Sequence, residues 1–243
     1  MAKVDIKQAW VKETKFGDWF LNTDTWLVHV LQRALNDLQT LIPKDKPNKF
    51  NTILDIGTGF GHSLIELDTR FSPSTIISLD VDPELIVKAS NNAKQCQANI
   101  EFLVNNAANI SLEDSSVDMV FCHQTFHHIV DQESAIKEIH RVLKPDGCLL
   151  FAESCRRYIH SFIIRLLFRH PMHVQKTDLE YLELLSKAGF SIDEQQVSRP
   201  FLWWSRADLG LWETLTGKTE DPHTREETLI NAVLYKSDND LVI

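Results

Sequence analysis

The stretch Ile53–Ser63 reads ILDIGTGFGHS. An apolar run of the kind that forms a buried strand ends at Asp55 and Ile56, and glycines follow at 57, 59 and 61. The next residues, HSLIELDTRF (62–71), take up helical spacing. A strand that passes through a glycine turn directly into a helix belongs to a sheet whose connections cross over it. Such a turn lies at the carboxyl edge of the sheet, where ligands bind near a switch in strand order. Glycines there let the backbone adopt positive φ and approach a ligand closely.

The rest of the chain repeats the alternation. Strands are predicted at 52–57, 75–81, 100–106, 117–123 and 148–154, with helices at 62–71, 83–95 and 132–144, the last closed by the turn PDG. Near-continuous apolar strands alternating with helices predict a parallel sheet covered on both faces. A helix at 177–188, closed by Gly189, precedes two further strands, 191–198 and 229–237, which finish like a hairpin. The fold class is therefore α/β: a Rossmann-like, doubly wound sheet of seven strands, mostly parallel with an antiparallel last strand. Before it, Trp26, Val30, Leu31, Leu35, Leu38 and Leu41 recur at helical spacing, and PKDKPNKFN (43–51) breaks the pattern. The expected organisation is a helical cap over 1–45 and a main domain over 46–243. That domain would carry a lid insertion near 155–176 and a second insertion near 200–226.

Charge and cysteine usage narrow the function classes. The formal net charge of −9 weighs against binding a phosphate backbone, so no nucleic-acid partner is expected. Cys96, Cys122, Cys148 and Cys155 form no C-x-x-C pair, which reads as reduced thiols in a cytoplasmic protein. MAKVDIKQAW lacks the apolar core of a signal, and no uncharged run approaches the length of a membrane span.

The ligand class follows from what comes after the glycines. Asp80 ends the second strand in SLDVDP, at the position where a carboxylate accepts both hydroxyls of a ribose. The glycine spacing is G-x-G-x-G, with His62 where a dinucleotide loop would place its third glycine. The G-K-[ST] ending of a phosphate-gripping loop is absent, so the ligand bears a nucleoside without an indicated pyrophosphate.

ILDIGTGFG, SLDVDP, NNAANISLEDSSVDMVFCHQTFHHI and LKPDGCLLFAES together resemble, in order, the motifs of the small, type-11 class I S-adenosylmethionine-dependent methyltransferases. The resemblance spans roughly residues 50–155 and implies S-adenosyl-L-methionine as cofactor. It also implies roles by position. Asp55 would orient the loop and the cofactor's amino group, while Gly57, Thr58 and Gly59 would admit its methionine part and ribose. Asp80 would hold the ribose hydroxyls and Val81 the adenine face. Asn106, followed by Ala107, stands where the family often has an acidic residue for the adenine amine. Thr58 replaces a frequent cysteine.

The stretch CHQTFHHIV (122–130) ends the fourth strand, so His123 is expected to line the cofactor pocket, with Gln124 beside it facing the acceptor. His127 and His128 are candidate general bases, since neutral imidazole accepts protons near pH 7. Each is also readable as a structural histidine. No H-E-x-x-H is present and no metal ligand set is assigned. Glu153, at the end of the fifth strand, reads as either a solvated charge or part of the acceptor site. RRYIHSFIIRLLFRHPMH (156–173) is basic and apolar in an acidic chain, which makes Arg156 and Arg165 candidates for an anionic acceptor. Trp203, Trp204 and Arg206 are candidates for an aromatic wall, against the plainer reading that they pack the flank. The expected function is methyl transfer to a small, partly apolar and anionic molecule. A non-catalytic nucleoside-binding partner protein is the alternative. The [DNS]-P-P-[YF] stretch of base-amine methyltransferases is absent after the fourth strand.

Overall fold

The computed structural model describes residues 10–206, 208–218, 220–221 and 224–236. Its centre is one sheet with strands in the spatial order β3 (Asn99–Val104), β2 (Thr75–Asp80), β1 (Thr52–Ile56), β4 (Val117–His123), β5 (Leu143–Ser154), β8 (Leu229–Lys236) and β6 (Phe190–Ser191), and β7 (Val197–Ser198) also pairs with β8. The first five strands, β1 to β5, are all parallel. β8 runs antiparallel to β5, as does β6 to β8. The strand order reverses between β1 and β4, which opens the switch point above their carboxyl ends.

Alternate residues of each strand feed two cores. Leu54, Ile56, Val120, Cys122 and Phe151 face α6 (Gln132–Val142) and α9 (Asp178–Lys187), whose Ile136, Ile139, Tyr181 and Leu185 are buried against them. Ile53, Ile76, Met119, Phe121 and Leu150 face the opposite layer. That layer holds α3 (Arg33–Leu41), α4 (His62–Phe71) and α5 (Pro83–Ala93). Helix boundaries follow capping chemistry. Asp82 accepts from Glu84 N at 2.9 Å with Pro83 at the first helical position, and Thr177 with Glu180 closes a capping box on α9.

Four details differ from expectation. α6 stops at Val142, because Leu143 already pairs with Val117 and begins β5 ahead of the PDG turn. The strand expected at 191–198 is two short pieces, β6 and β7 (Val197–Ser198). Between them Asp193 accepts from Gln195 N at 2.9 Å and bends Glu194–Gln196 into a 3-10 turn, giving a sheet of eight strands among the described residues. The helix expected through 25–42 begins as α2 (Asp24–Trp26), widens into π-type turns over Leu27–Gln32 and continues as α3. Its fully buried Leu31, Leu35 and Leu38 pack on the sheet, so this part of the N-terminal segment is a layer of the fold. Residues 1–9 of the expected cap, four positions of the expected insertion (207, 219, 222 and 223) and the last residue of the strand expected at 229–237 lie outside the described residues.

Ahead of α2, α1 (Lys15–Phe20) reaches across to α8 (Phe162–Leu167), which follows α7 (Arg156–Ile159). Thr14 Oγ1 donates to Leu167 O at 2.6 Å, and Glu13 accepts from Arg169 N at 2.8 Å. Phe168 meets Phe16 and Phe20 edge-on, with ring centroids 5.6 and 5.8 Å apart. Among the described residues no helix is long and apolar enough to cross a membrane.

Candidate active site at the carboxyl edge of the sheet

The turn after β1 is held from below. Gly57 N and Thr58 N both donate to Leu79 O, at 2.8 and 3.2 Å, which ties the loop to the end of β2. Asp55 Oδ2 accepts from Thr58 Oγ1 at 2.5 Å and Ser63 Oγ at 2.6 Å, so one buried carboxylate fixes both ends of the turn. Burial pushes Asp55 up to about 6, against the two hydroxyl bonds and with a smaller contribution from Asp80. Gly57 sits at φ +73, and a Cβ there would lie 2.2 Å from the Thr125 side chain. A side chain at Gly59, φ +53, would meet only Gly57 O at 3.9 Å, so this glycine faces open space.

Asp80 stands across that space. Its Oδ2 accepts from Gly59 N at 2.9 Å and its Oδ1 from Asp82 N at 3.0 Å. These bonds aim the carboxylate while leaving lone pairs free, since each oxygen accepts two. Burial raises its pKa. Asp55, Gly57, Thr58, Gly59 and Asp80 line one cleft. So do Val81, Asn106, Ala107 and His123, which brings every expected cofactor residue to the same wall. Asn106 differs in one respect. Its Oδ1 already accepts from Ala108 N at 2.9 Å, an Asx-type turn that occupies part of the carbonyl's capacity.

His123 is buried between Phe121, stacked at 5.8 Å, and Trp26, edge-on at 5.6 Å. Burial, with the charge of His127 second, pushes it down to about 3, so the ring is neutral. Its Nε2 is buried with no hydrogen-bond partner among the described residues. Gln124 follows at φ 50 and accepts from Ser154 Oγ at 2.5 Å. It stands between the cleft and a second hollow walled by Arg33, Asp37, Trp204 and Asn231.

Glu153 is not at the cleft. It is wholly buried beneath the turn after β4, where Oε1 accepts from Thr125 N at 2.8 Å and Phe126 N at 2.7 Å. Its Oε2 lies 2.6 Å from His127 Nδ1. The strand-end carboxylate therefore shapes the histidine turn from inside, a role that corrects the expectation of an acceptor contact. With Nδ1–H donating to Glu153, His127 presents Nε2 on its other side. His128 and His170 gather around the His127 ring, with ring centroids 4.3 and 5.1 Å from that of His127 and 4.7 Å from each other. The ligating nitrogens of all three lie within 4.8 Å of one another. His128 lines the cleft and His127 does not. Burial, then His127 and His170, hold the pKa of His128 well below its usual value.

The expected arginine and tryptophan contacts lie elsewhere. Arg156 pairs with Glu180 at 3.2 Å and Glu226 at 3.6 Å, and Arg206 pairs with Glu213. Arg165 is exposed, and Trp203 is 55% exposed. Trp204 meets Tyr158 edge-on at 5.6 Å and lines the second hollow, not the cleft. The aromatic wall of the cleft comes from Trp10 and Trp26, beside Glu13 and Thr125. Trp10 and Trp26 belong to the six tryptophans outside the cofactor core, which the sequence leaves open between packing the flanks and walling the acceptor; Glu13 and Thr125 carry no such signal. His170 was missed too, because it lies far downstream of the other two histidines.

Residues 54–151 match the family model described as a methyltransferase domain. The chain is 27% identical over 209 residues to the uncharacterized methyltransferase YcgJ of Bacillus subtilis, covering 83% of this chain and 78% of that one. The crystal structure of YcgJ superposes with a TM-score of 0.61 at 20% identity, over 84% of this chain and all of the other. A malonyl-[acyl-carrier protein] O-methyltransferase of Marinomonas sp. is 30% identical over 115 residues, 47% of this chain and 42% of that protein. Demethylmenaquinone methyltransferase of Deinococcus radiodurans is 31% identical over 122 residues, 49% and 51% of the two chains. The chain thus spans most of YcgJ but about half or less of the other two relatives.

Proposed function

We infer, from its membership of the class I S-adenosylmethionine-dependent methyltransferases, that this chain transfers a methyl group to a small, partly apolar molecule held at the His128 end of the cleft. The observation that carries the reading is a continuity: one cleft contains the glycine turn, the Asp80 carboxylate and His128. The donor side fits its ligand by shape and charge. Gly59 leaves room where a side chain would stand, and Asp80 is aimed by two backbone N–H groups with capacity left for hydroxyls. Val81 and Ala107 offer apolar surface to a flat base.

When bound, S-adenosylmethionine supplies a methyl group on a sulfonium, with a thioether as leaving group. The protein's part is to position, to exclude water and to take up a proton. Asp80 binds the ribose and Asp55 holds the turn against which the amino-acid part rests. Trp10 and Trp26 cover the cleft and keep water away from the reacting atoms. Their apolar faces, with Val11 and Ile129, favour a partly apolar acceptor. Its anionic character has less support, because Arg156 and Arg206 are already paired and the cleft wall carries Glu13, Asp18 and Glu84 against Lys12 and Lys88. His128 is the proposed proton acceptor for an oxygen, nitrogen or sulfur nucleophile, since its ring is neutral at pH 7 and reaches the cleft. His127 positions it from behind, locked by Glu153.

A small acceptor group agrees with the names of two relatives, a malonyl-[acyl-carrier protein] O-methyltransferase and a demethylmenaquinone methyltransferase. The test is transfer of labelled methyl from S-adenosylmethionine to panels of small carboxylates, phenols, quinols and amines, with total protein and RNA as rivals. Label in a small molecule, reduced about 100-fold or more by His128→Ala as expected for loss of a general base, supports the reading. Label in RNA or protein alone overturns it.

A further inference from the structure

We propose that His127, His128 and His170 form a binding site for a divalent late first-row metal ion, such as zinc or cobalt, with an open position toward the cleft. The three histidines come from two distant segments, the turn after β4 and the loop after α8, and converge so that their ligating nitrogens lie within 4.8 Å of one another. Three imidazoles around one ion at about 2.1 Å stand roughly 3.4 Å apart in tetrahedral geometry. Small rotations of the His128 and His170 rings therefore close the set. Three-histidine sites with a fourth position left to water or substrate are a known catalytic arrangement, and imidazole selects zinc, cobalt, nickel and copper over magnesium or calcium.

Three further observations point to a cation. Glu153 is the outer partner that such sites use: its Oε2 lies 2.6 Å from His127 Nδ1, and a proton donated there leaves Nε2 as the ring's free lone pair. On the other side of the set, Nδ1 of His170 is buried without a hydrogen-bond partner among the described residues, a cost that coordination would remove. The carboxylate of Glu13, anchored by Arg169 N at 2.8 Å, adds negative charge beside the loop that carries His170. The open side is at His128, the member that lines the cleft.

The inference deepens the reading above, on which the ion's role depends though its binding does not. An acceptor oxygen or sulfur coordinated in the open position would lose its proton to solvent, as water does on zinc. His128 would then act as a ligand and not as the proton acceptor.

Full-length protein freed of metal by a chelator is titrated with cobalt, followed by visible absorption, and with zinc, followed by calorimetry. One ion per chain with the intense visible bands of a four-coordinate cobalt site is expected in the wild type. His170→Ala should weaken binding on the order of 100-fold or more, since a ligand counts for at least what an outer-sphere partner does. His170→Gln serves as the second variant, and S-adenosylhomocysteine titrated into the same samples reports that each is folded. Wild-type protein that binds S-adenosylhomocysteine but neither ion overturns the metal site and leaves the methyl-transfer reading standing. Equal ion affinity in the wild type and both variants also overturns it. A wild type that takes the ion but not S-adenosylhomocysteine supports the metal site and strikes the methyl-transfer reading instead.

Discussion

Asp55 and Asp80 show how much of the site is decided by two desolvated carboxylates. Asp55 is the more costly, because it is ionised at neutral pH in a place where burial pushes it up to about 6. Its ordinary value is 3.8, so between that value and about 6 the folded chain binds a proton that the unfolded chain does not. The stability this provides is full below the lower value and is lost as pH rises through the upper one. Asp55→Asn removes the titration. Relative to that variant, the wild type should therefore gain about 1–3 kcal/mol on going from pH 7 to pH 4, measured as paired urea midpoints. A constant difference across that range would show that Asp55 is not strained by burial. The residues of this turn were legible in the sequence because the chemistry lies in one continuous stretch, from Asp55 to Ser63, with Asp80 at a fixed strand end. Glu153 was not legible in the same sense. A strand-end glutamate looks alike whether it faces solvent or a buried turn, and only the packing of Thr125, Phe126 and His127 around it decides.

At the scale of elements, the outer wall of the cleft comes from the N-terminal segment, with Trp10, Val11, Lys12, Glu13 and Asp18. The segment expected as a lid, 155–176, contributes none of the cleft's lining among the described residues; it packs against α1 beside that wall, and the join is aromatic: Phe168 against Phe16 and Phe20. Its arginines do not line the cleft. Arg157 pairs with Glu220 at 2.7 Å, and Arg156 with Glu180 and Glu226, so the basic run ties the segment to its neighbours. Two edge-on ring pairs contribute about 1–3 kcal/mol together, enough to hold α1 but not to hold the sheet. Phe168→Ala should therefore speed amide hydrogen exchange in residues 14–21 by about 5- to 150-fold while leaving β1, β4 and β5 unchanged. Exchange that rises evenly over the sheet, or not at all, would contradict a separately hinged wall. The sequence marked the segment as basic and apolar, but a charge pattern does not say which acid meets each arginine. Those partners lie more than twenty residues away along the chain.

At the scale of the molecule, the architecture was the most readable part. The alternation of apolar strands with amphipathic helices specifies crossover connections, and the two cores follow from alternate residues facing opposite layers. The strand pairing at the far edge was less readable, because Phe190–Ser198 carries too few apolar residues to hold a continuous strand against Asp193's turn. The cleft's outer wall was hidden for a related reason. Trp10 and Glu13 lie in a segment that tertiary contacts bring to the site, Thr14 with Leu167, Glu13 with Arg169 and Lys12 with Glu84, and no local pattern encodes them. What unites the molecule is that the switch point between β1 and β4, the capped turn after β2 and the histidine turn after β4 all open into one cleft. Calorimetric titration with S-adenosylhomocysteine tests that claim most directly. The wild type should bind one molecule per chain. Asp80→Asn, with its melting temperature checked, should bind roughly 10- to 100-fold more weakly, as expected for losing charge-assisted bonds to the ribose. A wild type that gives no binding heat at any temperature tried, or an Asp80→Asn variant of unchanged affinity, would contradict the account.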